Sequence, residues 1–298
     1  MLACPCNAEA TTAACGLSSH ALVAATLTEI PALRDRPVPQ GCPPLPPRFL
    51  RHCDEQTVVG IWAVLEAIAA YPEPRPSFSG YGVVAAPCQA GRIATAQSLV
   101  LARAGGGVNV SPHIVPQCSL HSLAGAVSVG LSMHGPNIGI SGGQYAVSEG
   151  LFASLSLLLS GPAATGKILP GIWLVMTAWD REPALDATGR PLTAPAERHA
   201  ATEPTCRGIA VALTPDVTAA SLRISLHLPA AIRAARLTPP TASAADEILA
   251  FARALTACGQ SATAGGSQSL TWTHTCPWAA EVRLAANVAV GLPQREAA

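Results

Sequence analysis

Three short strings in the 298-residue chain have residue types and spacings that can do chemistry. Gly139-Ile140-Ser141-Gly142-Gly143 fits G-x-S-x-G, the strand-to-helix elbow that holds a serine hydrolase's nucleophile. That chemistry needs a carboxylate and then an imidazole downstream, and Asp180 and His274 follow in that order. No HGGG-like oxyanion loop precedes Ser141. The bland reading is a small-residue bend where strand and helix pack closely. Residues 161–167, GPAATGK, fit the G-x-x-x-x-G-K of a phosphate loop. Such a loop needs Ser or Thr next and a helix opening at that point, whereas Ile168 follows and heads a strand. The string reads as a glycine-rich helix end. Cys4 and Cys6 form C-x-C without a second Cys/His pair at zinc spacing, so no metal site is expected. The ten cysteines are irregularly spaced and read as small buried hydrophobes.

The elements that would position these groups alternate strand and helix. Residues 1–50 are irregular and proline-rich, and read as a leader or an extended arm. A helix is expected at about 54–71, capped by Asp54, with Val58, Ile61, Trp62, Leu65 and Ile68 on one stripe. A short buried strand at 79–87 and helices at 91–104 and about 119–133 follow. Asn137 to Ile140 reads as a buried strand, the SGG bend comes next, and residues after Gln144 make a long apolar helix. Apolar runs at 168–180, 206–215 and 221–229 predict strands, the last two joined by a tight turn. A helix at about 243–257 and strands near 268–274 and 281–290 complete the pattern. Such alternation predicts α/β with a layered sheet.

Residues 119–159, SLHSLAGAVSVGLSMHGPNIGISGGQYAVSEGLFASLSLLL, resemble the nucleophile region of the β-ketoacyl synthases, which have the thiolase fold. In that family a helix ends in a Gly-Pro turn, a buried strand follows, and a nucleophilic Cys stands at the mouth of a buried helix. Gly135-Pro136 matches the turn, and the nucleophile position falls on Gln144. The resemblance covers about residues 45–215. It implies a thiolase-like α-β-α fold with a near-complete N-terminal half, 51–215, and a reduced C-terminal part, 216–298. An amide cannot be acylated as a thiolate can, and the family's two catalytic histidine motifs do not occur; His199 and His274 match neither. Gln at this position resembles the chain-length factors, or ketosynthase β subunits. The function implied is a non-condensing subunit of fatty-acid or polyketide assembly. Ser141, Gly142 and Gly143 would form the bend and oxyanion region. Asn137, Ile138, Gly139 and Ile140 would form the dimer strand, flanked by the apolar Val127, Leu131 and Met133. The partners implied are an active ketosynthase subunit, or a second copy, and an acyl carrier protein through the complex; no cofactor is implied. A Gln-type malonyl-carrier-protein decarboxylase and a serine hydrolase using Ser141 are the alternatives.

Composition narrows the field further. Lys+Arg and Asp+Glu are both 18, which gives no net positive charge to wrap a phosphate backbone. Aromatics are 4%, too few for base-stacking platforms, so no nucleic-acid partner is expected. Charged residues are 12% and hydrophobic residues 49%, which calls for a large core or a partner interface. No run of 18 apolar residues predicts a membrane span, and the first residues do not read as a signal peptide, so a cytoplasmic location is expected.

Overall fold

The computed structural model describes residues 11–140, 143–160, 168–192, 203–218, 220–228, 242–263, 270–278 and 280–286. The strands are β1 (Thr11–Thr26), β2 (Gly82–Pro87), β3 (Asn137–Gly139), β4 (Ile172–Trp179), β5 (Thr205–Thr214), β6 (Leu222–Leu228), β7 (Thr271–Thr275) and β8 (Glu281–Ala286). The helices are α1 (Ile30–Asp35), α2 (Glu55–Ala69), α3 (Arg92–Gly105), α4 (Ile114–Cys118), α5 (Ser122–Gly130), α6 (Ala146–Leu159) and α7 (Ala244–Thr263).

All eight strands form one sheet, in the order β3-β2-β4-β5-β1-β6-β8-β7. β2 runs parallel to β3 and β4, and the remaining pairs are antiparallel. Helices α2 and α5 cover one face, where Val83, Ala85, Trp173, Val175, Ala210 and Ala212 point. Helices α6 and α7 cover the other, where Val84, Leu174, Met176, Ile209 and Val211 point. This is the expected α-β-α layering. The alternation is the two-residue period of strands, and because both faces are covered each central strand reads as an unbroken apolar run.

Helix α2 forms where its sequence says it should. Asp54 accepts from the Thr57 amide at 2.7 Å and caps the helix. The expected stripe is buried, but so are Val59, Ala63, Val64 and Ala67, since α2 lies between the sheet and the proline-rich segment. Thr177 Oγ1 donates to Gln56 Oε1 at 2.8 Å and Gln56 Nε2 donates to the Cys88 carbonyl at 2.7 Å, which pins α2 across β4 and the end of β2.

Two expectations need correction. The first fifty residues are not an arm throughout, because Thr11–Thr26 is the 16-residue strand β1, placed between β5 and β6. The proline-rich stretch behind it packs on its own chain: Trp62 Nε1 donates to the Leu33 carbonyl at 2.8 Å, and Cys42 Sγ to that of Leu65 at 3.2 Å. β5 and β6 follow one another closely in the chain, and each pairs with β1. β3 is not buried: it is the sheet edge, and Asn137 and Ile138 are exposed.

Candidate functional site

The Gly-Pro turn, β3 and α6 lie in the order the sequence implies. Met133, His134 and Gly135 are held by backbone bonds to Ser128, Ser79 and Tyr81, and the β3 ladder continues as the Ile140 amide donates to the Ala85 carbonyl at 2.9 Å. Gly139 is a packing glycine: a Cβ there would run into the backbone of Leu120 and His121. That fits the bland reading of the G-x-S-x-G string. Ser141 and Gly142 lie outside the described residues, as do GPAATGK, His199, Cys4 and Cys6. Gly143 and Gln144 form an exposed turn, and α6 opens at Ala146. Gln144 therefore stands at the mouth of α6, immediately before its N-cap residue, Tyr145, and is exposed.

Sequence reasoning missed what faces the first turn of α6. The β7 strand and the turn after it bring His274 Nε2 to 2.7 Å from the Ser148 hydroxyl. Cys276 also hydrogen-bonds Ser148, and Ser148 and Cys276 are both buried. Trp272 stacks on the His274 ring at 5.6 Å between centroids, and Trp278 meets Phe152 edge-on at 5.7 Å. Trp272 and His274 lie on the half-buried face of β7, and with Cys276 and Trp278 of the turn after it they pack against α6 and α7. Ser148 and Phe152 are one helical turn apart and share a face. The proposed hydrolase triad is not assembled: His274 bonds Ser148, while Asp180 accepts from the Thr205 amide at 2.9 Å and faces Arg207 at 3.8 Å.

Electrostatics exclude a ready thiolate among the described residues. All eight described cysteines are free, and burial raises the thiol pKa of each. Cys276, near the mouth of α6, is pushed up to about 11 by burial, which outweighs the lowering effect of its bond to Ser148. It stays a thiol at neutral pH, unlike a condensing nucleophile. Burial lowers the His274 pKa, so the ring is neutral near pH 7. Burial raises Glu247 on α7 to about 7, and its Oε2 is buried with no hydrogen-bond partner among the described residues. No group of three or more His, Cys, Asp or Glu among the described residues could hold a metal ion. None of the described helices is long and apolar enough to cross a membrane.

The edge strand is the other candidate surface. Val127, Leu131 and Met133, expected beside a dimer strand, are core residues with 7% exposure or less. The exposed apolar residues there are Ile138 at 36%, Leu120 at 39% and Val129 at 68%.

Comparison with solved structures finds ketosynthases among the matches. A β-ketoacyl synthase from Burkholderia phymatum STM815 is 14% identical, with 66% of this chain and 58% of that one covered, at a TM-score of 0.41. This chain thus spans 58% of the length of the Burkholderia synthase. The ishigamide ketosynthase/chain length factor is 14% identical, with 92% and 99% covered, at a TM-score of 0.49. The complex AntDE:AntF, a type II PKS acyl-carrier protein with its ketosynthase bound to the hexaketide, is 11% identical, with 92% and 99% covered, at a TM-score of 0.50. No protein-family profile and no curated protein sequence matches the chain. The fold is thiolase-like α/β; at 11% identity the likeness is one of fold.

Proposed function

We propose that the chain is a non-condensing, chain-length-factor-like subunit of polyketide or fatty-acid assembly. It pairs with an active ketosynthase in the cytoplasm, and the pair receives acyl carrier protein. The observation that carries this reading is Gln144 at the mouth of α6, where a condensing enzyme needs a thiolate, together with the raised pKa of every described thiol. A helix N-terminus lowers a thiol's pKa and stabilises an oxyanion, but an amide there can only donate and accept hydrogen bonds. The edge strand supports the pairing. Among the described residues β3 has one neighbour, β2, and it presents Ile138 to solvent. An unpaired edge with an exposed apolar side chain is a template for another chain's strand. In this reading Asn137 to Ile140 pair across a twofold axis with the ketosynthase's equivalent strand, and with a second copy of this chain when no ketosynthase is present.

The test is co-expression with the ketosynthase encoded nearest to it. The expected result is co-purification, condensation only when both subunits are present, and no acyl adduct on any cysteine of this chain. Condensation by this chain alone would overturn the reading.

A further inference from the structure

The contact between Ser148 and His274 joins residues 126 apart in sequence, and nothing in the proposed pairing requires it. It lies in the first turn of α6, whose N-terminus follows Gln144. In the Nδ1–H tautomer, the hydroxyl donates to Nε2 across 2.7 Å. That is the geometry of a nucleophile and its base. Trp272 stacks on the imidazole and fixes its plane, and burial keeps the ring neutral and able to take a proton. The first-turn amides of α6 place the positive end of the helix dipole beside the hydroxyl. Ser148 is 3% exposed, and before the N-cap of its helix Gly143 and Gln144 are exposed, with nothing within 4 Å of a Cβ added at Gly143. Phe152 and Trp278 line the next turn with apolar surface, and the Trp278 Nε1–H is buried without a hydrogen-bond partner among the described residues.

We propose that Ser148 and His274 form a nucleophilic dyad that accepts an apolar acyl group from an ester or thioester. The Ser148 oxygen bonds to the acyl carbon as its proton passes to His274 Nε2. The carbon–sulfur bond of a thioester then breaks, and the leaving sulfur takes that proton from His274. The products are an acyl-serine ester and a free thiol. Water, with His274 again as base, cleaves the ester to the carboxylic acid and regenerates the hydroxyl. Such a site removes stalled or short acyl groups and is chemically separate from condensation. Cys276 beside it stays protonated and does not compete.

An alkyl fluorophosphonate and p-nitrophenyl butyrate test this on the purified full-length chain. The expected results are a single phosphonyl adduct mapped to Ser148, and ester turnover that falls about 100-fold or more in Ser148→Ala and in His274→Gln, the range for loss of an acid–base group. The amide introduced by His274→Gln still forms hydrogen bonds but cannot shuttle the proton, so this variant should melt near the wild-type temperature while losing labelling. Labelling at wild-type rate in a folded His274→Gln, or absence of a Ser148 adduct in the wild type, overturns the proposal. The wild-type peptide map decides the matter even where a variant fails to fold. None of these readouts depends on a ketosynthase partner, so failure here and failure of the pairing are separate results.

Discussion

Strands β2, β4 and β5 bury both faces, whereas β6, β8 and β7 bury only one. In the first region α2 and α5 lie on one side and α6 on the other, and all eight residues of β4 are buried. In the second, Leu222, Ile224, Leu226, Val282 and Leu284 face α7 and α6, while Arg223, Arg283, Thr271 and Thr273 are exposed on the opposite face. The sequences differ accordingly: IWLVMTAW is a continuous apolar run, while LRISLHL and EVRLAA alternate. The transition falls within β1. Cys15 and Leu17 point to the α6–α7 side, but past the irregularity between Leu17 and Ser19 the side chains of Ala21, Val23 and Ala25 point to α2. A bulge inserts one residue and so reverses which parity faces which layer. The first region carries the mouth of α6. The second is a thinner flap that delivers His274 and Cys276 to it.

The largest expected effect tests that contrast directly. Trp62→Ala in the first region removes a fully buried ring and its bond to Leu33, and should cost about 3–5 kcal/mol in denaturant unfolding. Trp272→Ala, half-buried in the second region, should cost less than half as much; equal costs would refute the flap description. Gly139→Ala should follow at about 1–3 kcal/mol, because the added methyl meets backbone that cannot easily move. Next is a pH test that separates the regions by one carboxyl each. Burial raises Asp54 from 3.8 to about 6 and Glu247 from 4.5 to about 7. A carboxyl whose folded pKa is raised favours the folded state while protonated, so that stability is lost as pH rises through the folded value. Relative to the wild type, Glu247→Gln should therefore gain melting temperature progressively from pH 5 to 7.5. Asp54→Asn, which keeps a capping side chain, should make its relative gain between pH 4 and 6. A Glu247→Gln difference that is flat with pH would contradict the burial of that carboxyl. Smallest of all, Thr273→Val on the open face should change stability by no more than about 0.5 kcal/mol.

How much could be read beforehand also divides along this line. Helix α2 was legible from Asp54 and its apolar stripe, and α6 and β4 from sheer hydrophobicity, because deep burial on all sides writes itself into composition. β1 was not. Its residues, TTAACGLSSHALVAAT, are small, and the bulge breaks their alternation, so no single period marks the strand. The place of β5 and β6 in the sheet is not legible for a related reason: they follow one another closely, but β1, some 180 residues upstream of β5, lies between them. At the site, the place of Gln144 followed from its resemblance to a known nucleophile region. The Ser148–His274 contact did not, since no local pattern links two positions 126 residues apart. Trp272 and His274 lie on the half-buried face of β7, and Cys276 and Trp278 in the turn after it. Val127, Leu131 and Met133 were assigned to an interface on hydrophobicity alone, which does not distinguish a core from a docking face.

In the proposed pairing a ketosynthase completes the edge strand β3. Native mass spectrometry of this chain co-expressed with that enzyme, wild type against Ile138→Lys, tests it most directly. The account predicts a one-to-one heterodimer with the wild type and separate subunits with the variant, because the substitution places an unpaired charge in the joined edge. A wild-type chain that stays a well-behaved monomer at micromolar concentration beside the ketosynthase would contradict it.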